Sequence, residues 1–173
     1  MNSKPSELDT VLTSFTDDQP LQASSLLDPR LNECGTGLRE TEDMTPVGEE
    51  SAELRFGPGK LRYFVMRLPH RSLSVRSMTR HLHSTQCLGS AEGLPFWMLL
   101  APPETQGPTL AAKAAWLLRV MPGEGLKLHI GTWHAGPYFP AKSALFFNLE
   151  LADTYKSDHE TLALSKPVQI ILN

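Results

Sequence analysis

The chain has 173 residues, of which 40% are hydrophobic and 20% charged, a composition typical of one globular domain with its own core. The net charge of -3, without a run of Lys or Arg residues, argues against nucleic acid as a partner. We expect neither a secretion signal nor a membrane span, because no long apolar stretch occurs. Cys34 and Cys87 lie far apart without C-x-x-C spacing, which indicates neither a disulfide framework nor a zinc site, so a cytoplasmic protein is expected.

The first 60 residues are rich in Ser, Thr, Gly, Pro and acidic residues and show no sustained hydrophobic period. We interpret residues 1–19 as a flexible N-terminus and residues 20–173 as a single domain that begins with a loop-rich segment. Acidic residues concentrate between Glu33 and Glu53, whereas Arg and His concentrate between Lys60 and His83. The basic stretch favours a small anionic substrate as the partner.

Short apolar runs separated by Gly-rich and Pro-rich turns follow from residue 60 onward, and they predict β-strands. The segment 111–118 could instead begin as a helix. Many short strands with regular turns are typical of a sandwich or barrel, so we predict a mainly β fold. The predicted strands are 61–68, 96–101, 114–121, 126–130, 144–151 and 168–172.

Two histidine-bearing segments are the candidates for chemistry. His81 and His83 alternate on a segment predicted to be extended, so both imidazoles are expected on one face, with Gln86 three residues later. In the second segment, two glycines flank Trp133 and His134, which predicts a backbone that bends closely around one imidazole. We expect the two segments to converge inside a barrel.

These segments resemble the two cupin motifs. Gln86 stands where the acidic ligand of the first motif would be, with six residues between it and Gly93. Gly123, Gly131 and His134 keep the spacing of the second motif. The resemblance implies a cupin-type double-stranded β-helix, a jelly-roll-like barrel. The positions that depart from the motifs are Val75, His129 and Tyr138.

A closer resemblance is to the ureidoglycolate lyase family, a cupin branch with an RH-x-x-x-x-Q segment and a later G-x-WH segment followed by proline. The matching residues are Arg80, His81, Gln86, Trp133, His134 and Pro137. Further similarity lies in TQCLGS, LKL, GTWHAGP and NLEL, at 85–90, 126–128, 131–137 and 148–151. His83 departs from the family, which commonly has a small or apolar residue there.

The resemblance implies release of urea from ureidoglycolate to give glyoxylate, a step in the recovery of nitrogen from purines. The reaction needs a base, an acid and a group that holds the substrate carboxylate. The expected catalytic residues are His81, His134 and Gln86, and the sequence does not say which histidine is the acid. The expected substrate-binding residues are Arg80, Lys127, Trp133 and Glu150, although Trp133 could equally be core packing and Glu150 could equally face solvent.

Two other interpretations remain open, and neither follows from the closer resemblance. A divalent metal bound by His81, His83 and His134, with Gln86 as a weak fourth ligand, would make the chain a metal-dependent dioxygenase or isomerase. We prefer a site without a metal, because Gln is a poor substitute for carboxylate. A cupin that binds a small organic acid without catalysis needs many of the same polar groups. The remaining histidines, His70, His129 and His159, are expected to be structural.

The apolar C-terminus, VQIILN, could pair with the sheet edge of another subunit or close its own sheet. Because cupins commonly dimerise, we expect a homodimer.

Overall fold

The computed structural model describes residues 19–48, 51–107 and 113–173 and contains two β-sheets, two single-turn helices described in full, and helical residues at 113 and 114. Most of the predicted flexible N-terminus, up to residue 18, lies outside the described residues. The helices are α1 (Leu31–Cys34) and α2 (Thr154–Ser157). The predicted mainly β fold is confirmed, and the two sheets are compatible with a β-barrel. Within the described residues no helix is long and apolar enough to cross a membrane.

The first sheet has six strands in the order β1-β7-β6-β9-β4-β11. Its strands are β1 (Ala23–Ser24), β4 (Ser74–Arg80), β6 (Phe96–Ala101), β7 (Trp116–Val120), β9 (Trp133–Tyr138) and β11 (Glu160–Gln169). Neighbouring strands are antiparallel except for β1 and β7, which are parallel.

The second sheet has five strands, all antiparallel to their neighbours, in the order β2-β8-β5-β10-β3. Its strands are β2 (Gly35–Leu38), β3 (Leu61–Pro69), β5 (Gln86–Ser90), β8 (Gly125–Leu128) and β10 (Ser143–Leu151).

The main hydrophobic core lies between the sheets. Phe96, Met98 and Leu118 of the first sheet pack in one cluster with Leu126 and Phe146 of the second. Removing such side chains from water contributes about 1.5–3 kcal/mol each to folding. A second cluster, which includes Leu99, Leu117 and Trp133, packs on the opposite face of the first sheet. Strand β6 is therefore buried on both faces, which explains its uninterrupted apolar sequence FWMLLA.

Some of the predicted strands agree with the structure and others do not. Residues 61–68, 96–101 and 144–151 are strands, and β7 and β8 lie within or next to their predicted ranges. The prediction of 168–172 is wrong, because the last strand begins at Glu160 and ends at Gln169. It pairs with β4 on both sides of an irregularity between Ala163 and Val168, where a proline interrupts the strand pattern. Strands β1, β2, β4, β5 and β9 lie outside the predicted ranges. In β4 and β5, polar residues and glycine dilute the β signal.

Candidate functional site

A cavity of about 590 Å³ lies between the sheets, at the side of the core where polar residues replace apolar ones. It is lined by side chains of β3, β4, β5, β9 and β10. Among the predicted site residues, His81, Gln86, His134 and Glu150 line it. The two sequence segments converge as expected, since Gly131 N donates a hydrogen bond to His81 O at 2.7 Å.

His81 lies just after β4 and is 7% exposed. Its Nδ1 is hydrogen-bonded to the carbonyl oxygen of Asp158. The carboxylate of the same Asp158 accepts hydrogen bonds from the backbone N–H groups of Leu82 and His83 and from the Ser84 hydroxyl. Asp158 is 3% exposed. It therefore holds both the imidazole and the turn that carries it.

His134 lies on β9 between Thr79 of β4 and Leu100 of β6. Its Nδ1 is 3.0 Å from the carbonyl oxygen of Thr132. Gly131 precedes this bend with φ +83, and a Cβ there would approach Pro103 Cβ at 3.2 Å, so the bend requires glycine. Burial, with a smaller effect of His81, lowers the pKa of His134 from 6.5 to about 4. His134 is therefore neutral at neutral pH.

The two imidazoles share a cavity wall, with ring centroids 5.2 Å apart. A carbonyl oxygen only accepts, so each Nδ1 that faces one carries the proton in the neutral ring. The lone pair then lies on Nε2, and no described residue hydrogen-bonds Nε2 of His81 or His134. Both rings can therefore exchange a proton with a ligand.

The floor of the cavity is a network of polar groups from β3, β5 and β10. Gln86 Nε2 donates to Asn148 Oδ1 at 3.2 Å and to Glu150 Oε2 at 3.1 Å, and Asn148 Nδ2 donates to the same Glu150 oxygen at 3.0 Å. Arg62 forms an ion pair with the other oxygen of Glu150. Because two acceptors fix the Gln86 amide nitrogen, its Oε1 orientation is also fixed, and this buried Oε1 has no partner within the described residues.

The remaining lining includes apolar and basic side chains. Phe64 and Met98 contribute apolar surface, and the exposed Arg71 and Arg76 contribute cationic side chains. Arg71 donates to the Gly136 carbonyl oxygen at 3.0 Å. The cavity therefore offers a negatively charged ligand two guanidinium groups that the sequence analysis had not singled out.

Four predicted residues lie outside this cavity. His83 was expected to share a face with His81, but β4 ends at Arg80, the chain bends, and the His83 side chain is 61% exposed. Arg80 forms an ion pair with Glu160 at 2.7 Å and stacks over Trp133, whose ring belongs to the second core cluster. The fourth, Lys127, lies on the outer face of the second sheet, where it lines a different pocket.

Besides Arg71 and Arg76, the sequence analysis missed two further lining or supporting residues and took one as structural. Arg62 alternates with Phe64 on β3, so strand periodicity could have placed it on the inner face. His159, expected to be structural, lines the cavity with its ring centroid 5.9 Å from that of His81. No sequence signal distinguished His159 or Asp158, because their roles depend on how the segment after α2 packs against residues 81–84.

A metal site formed by His81, His83 and His134 does not fit this arrangement. His83 points away from the cavity, so the three imidazoles do not converge. Within residues 19–48, 51–107 and 113–173, no group of three or more His, Cys, Asp or Glu side chains is placed to hold a metal ion.

Comparison with known proteins adds no family assignment. The chain matches no model of a protein family, and a search of curated proteins gives no match. The likeness to ureidoglycolate lyases therefore stays a resemblance, supported by the motifs quoted above.

Proposed function

We propose that the chain is a ureidoglycolate lyase-like enzyme that releases urea from ureidoglycolate and leaves glyoxylate. The observation that carries the proposal is the pair His81 and His134, which line one cavity with both Nδ1 atoms at backbone carbonyls and both Nε2 atoms available. The proposed fold is the cupin-type jelly-roll barrel, supported by two packed sheets with the cavity between them.

In the proposed mechanism His134 is the base. Because its lowered pKa keeps it neutral, its Nε2 can take the proton of the substrate hydroxyl. The oxygen then forms the carbonyl bond of glyoxylate while the carbon–nitrogen bond breaks. The bonding electrons move to the urea nitrogen, which receives a proton from Nε2 of His81, the proposed acid. A proton returned from His134 to His81 restores the starting state.

Two polar features of the cavity fit the remaining groups of this substrate. Gln86 Oε1, which has no described partner, can accept a hydrogen bond from a ureido N–H group of the substrate. Arg71 or Arg76 can bind the carboxylate as guanidinium groups commonly do. In this proposal the arginines take the role that the sequence analysis gave to Arg80 or Lys127.

The decisive variant is His134→Asn. The Asn amide can still donate to the Thr132 carbonyl oxygen, so the local backbone keeps a partner, but the base is lost. We expect urea release to fall by roughly 10²–10⁴-fold, measured as urea and glyoxylate formed by the purified protein. Activity equal to that of the unchanged protein would contradict the proposal.

His83→Ala is the matched control, because it removes a histidine close in sequence to His81 but outside the cavity. We expect nearly unchanged activity. A loss comparable to that of His134→Asn, reversed by added divalent metal, would favour the metal-dependent alternative. An unchanged protein that binds glyoxylate in calorimetry but releases no urea would favour the non-catalytic binding module.

A further inference from the structure

Lys127 is a buried lysine without a partner. It lies on β8, in the middle of the second sheet, with Thr36 of β2 and Cys87 of β5 as its cross-strand neighbours. The residue is 7% exposed. Within the described residues its side chain forms no hydrogen bond and no ion pair. Such burial is unfavourable for an ammonium group unless an opposite charge is close.

The side chain of Lys127 lines a pocket of about 370 Å³ on the outer face of the sheet. The residues around it are Glu53, Arg55, Thr85, His129 and Ile130. None of them lines the cavity between the sheets. Residues of β5 separate the two, since Gln86 faces the cavity while Thr85 lines the outer pocket. The outer pocket is therefore a different site from the proposed active site.

The charges around the outer pocket do not cancel. Arg55 pairs with Glu53, its only described ion-pair partner, at 3.3 Å. Burial, Lys127 and Arg55 together lower the pKa of His129, which leaves this imidazole neutral at neutral pH. Burial also lowers the pKa of Lys127, and the opposing effect of Glu53 does not cancel it. One positive charge is left without compensation.

We propose that the outer pocket binds a small oxyanion with a single negative charge, which pairs with Lys127 and is flanked by Arg55 and His129. The volume is ample for a small anion, and the charge balance favours a monoanion. Short carboxylates and singly charged inorganic phosphate share this chemistry. The proposal does not depend on the lyase activity.

The experiment compares thermal unfolding in acetate, phosphate and chloride at constant ionic strength. At roughly ten times the Kd, a bound anion should raise the Tm of the unchanged protein by about 4 °C over chloride. In Lys127→Met the rise should disappear, whereas Lys166→Met, which removes an exposed lysine, should keep it. The double variant Arg71→Gln, Arg76→Gln should also keep it, which separates this site from the carboxylate site proposed in the cavity between the sheets.

The result distinguishes the sources of the oxyanion and can overturn the proposal. A rise in acetate alone identifies a carboxylate site, a rise in phosphate alone identifies a phosphate site, and a rise in both identifies a general oxyanion site. No rise in either, or an equal rise in Lys127→Met, overturns the proposal. Should Lys127→Met not fold, the Cε resonance of ¹³C-labelled Lys127 in the unchanged protein gives the answer, since it must shift on titration with the anion.

Discussion

The two faces of the five-stranded sheet differ in whether their buried polar side chains have partners. On the inner face, Glu150 accepts from Gln86 and Asn148 and pairs with Arg62, so the carboxylate is fully matched. On the outer face, Lys127 is as buried as Gln86 but has no described partner. The network on the inner face stabilises the folded protein. Gln86 Oε1 and the Lys127 ammonium group lack a described partner, so a ligand can supply the missing hydrogen-bond donor for the first and the missing negative charge for the second.

Glu150→Ala tests the inner face of the sheet, where the buried carboxylate has partners, and it has the largest expected effect on stability. It leaves the Arg62 guanidinium and two amide donors without their acceptor. We expect the free energy of unfolding to fall by roughly 3 kcal/mol, the lower end for a broken buried pair, because Arg62 is partly exposed. Urea denaturation measures this. Glu160→Ala, which breaks the more exposed pair with Arg80, should cost about 1 kcal/mol or less; equal losses in the two variants would contradict the comparison.

Acid should destabilise the protein through His134. Its folded-state pKa of about 4 lies below the ordinary value of 6.5, so between these values the folded state binds fewer protons than the unfolded chain. The contribution of the neutral ring is complete above pH 6.5 and is lost as the pH falls to about 4. The loss is about 3 kcal/mol. His134→Asn should show a correspondingly shallower decline of stability over this range, and parallel profiles for the two proteins would exclude His134 as the cause.

Lys127→Met tests the outer face of the sheet, where the buried lysine has no described partner, and it has the smallest expected effect on stability. Methionine keeps the length of the side chain and removes the unpaired charge. In buffer free of small oxyanions we expect the free energy of unfolding to rise by about 1 kcal/mol, and Lys166→Met should leave it unchanged. A clear loss of stability in Lys127→Met would mean that the ammonium group has a partner, which would remove the contrast between the two faces.

Part of the candidate site was predictable from local pattern. Asn148 and Glu150 alternate with Phe147 and Leu149, and the structure turns the polar pair inward. The convergence of His81 and His134 was also expected. The expectation for His83 was wrong because it assumed that the strand continues past Arg80, and nothing in the local sequence reveals that Asp158 draws this turn inward.

The sequence by itself determined the mainly β architecture, five of the eleven described strands and the two segments that meet at the cavity, because these depend on alternation and turn chemistry within a few residues. Only the tertiary structure decided which polar side chains share a space. Arg71 and His159 line the cavity, whereas Arg80, Trp133 and Lys127 lie outside it. The physical reason is that the face to which a side chain points is set by strand register and sheet order, which bring together residues far apart in the chain.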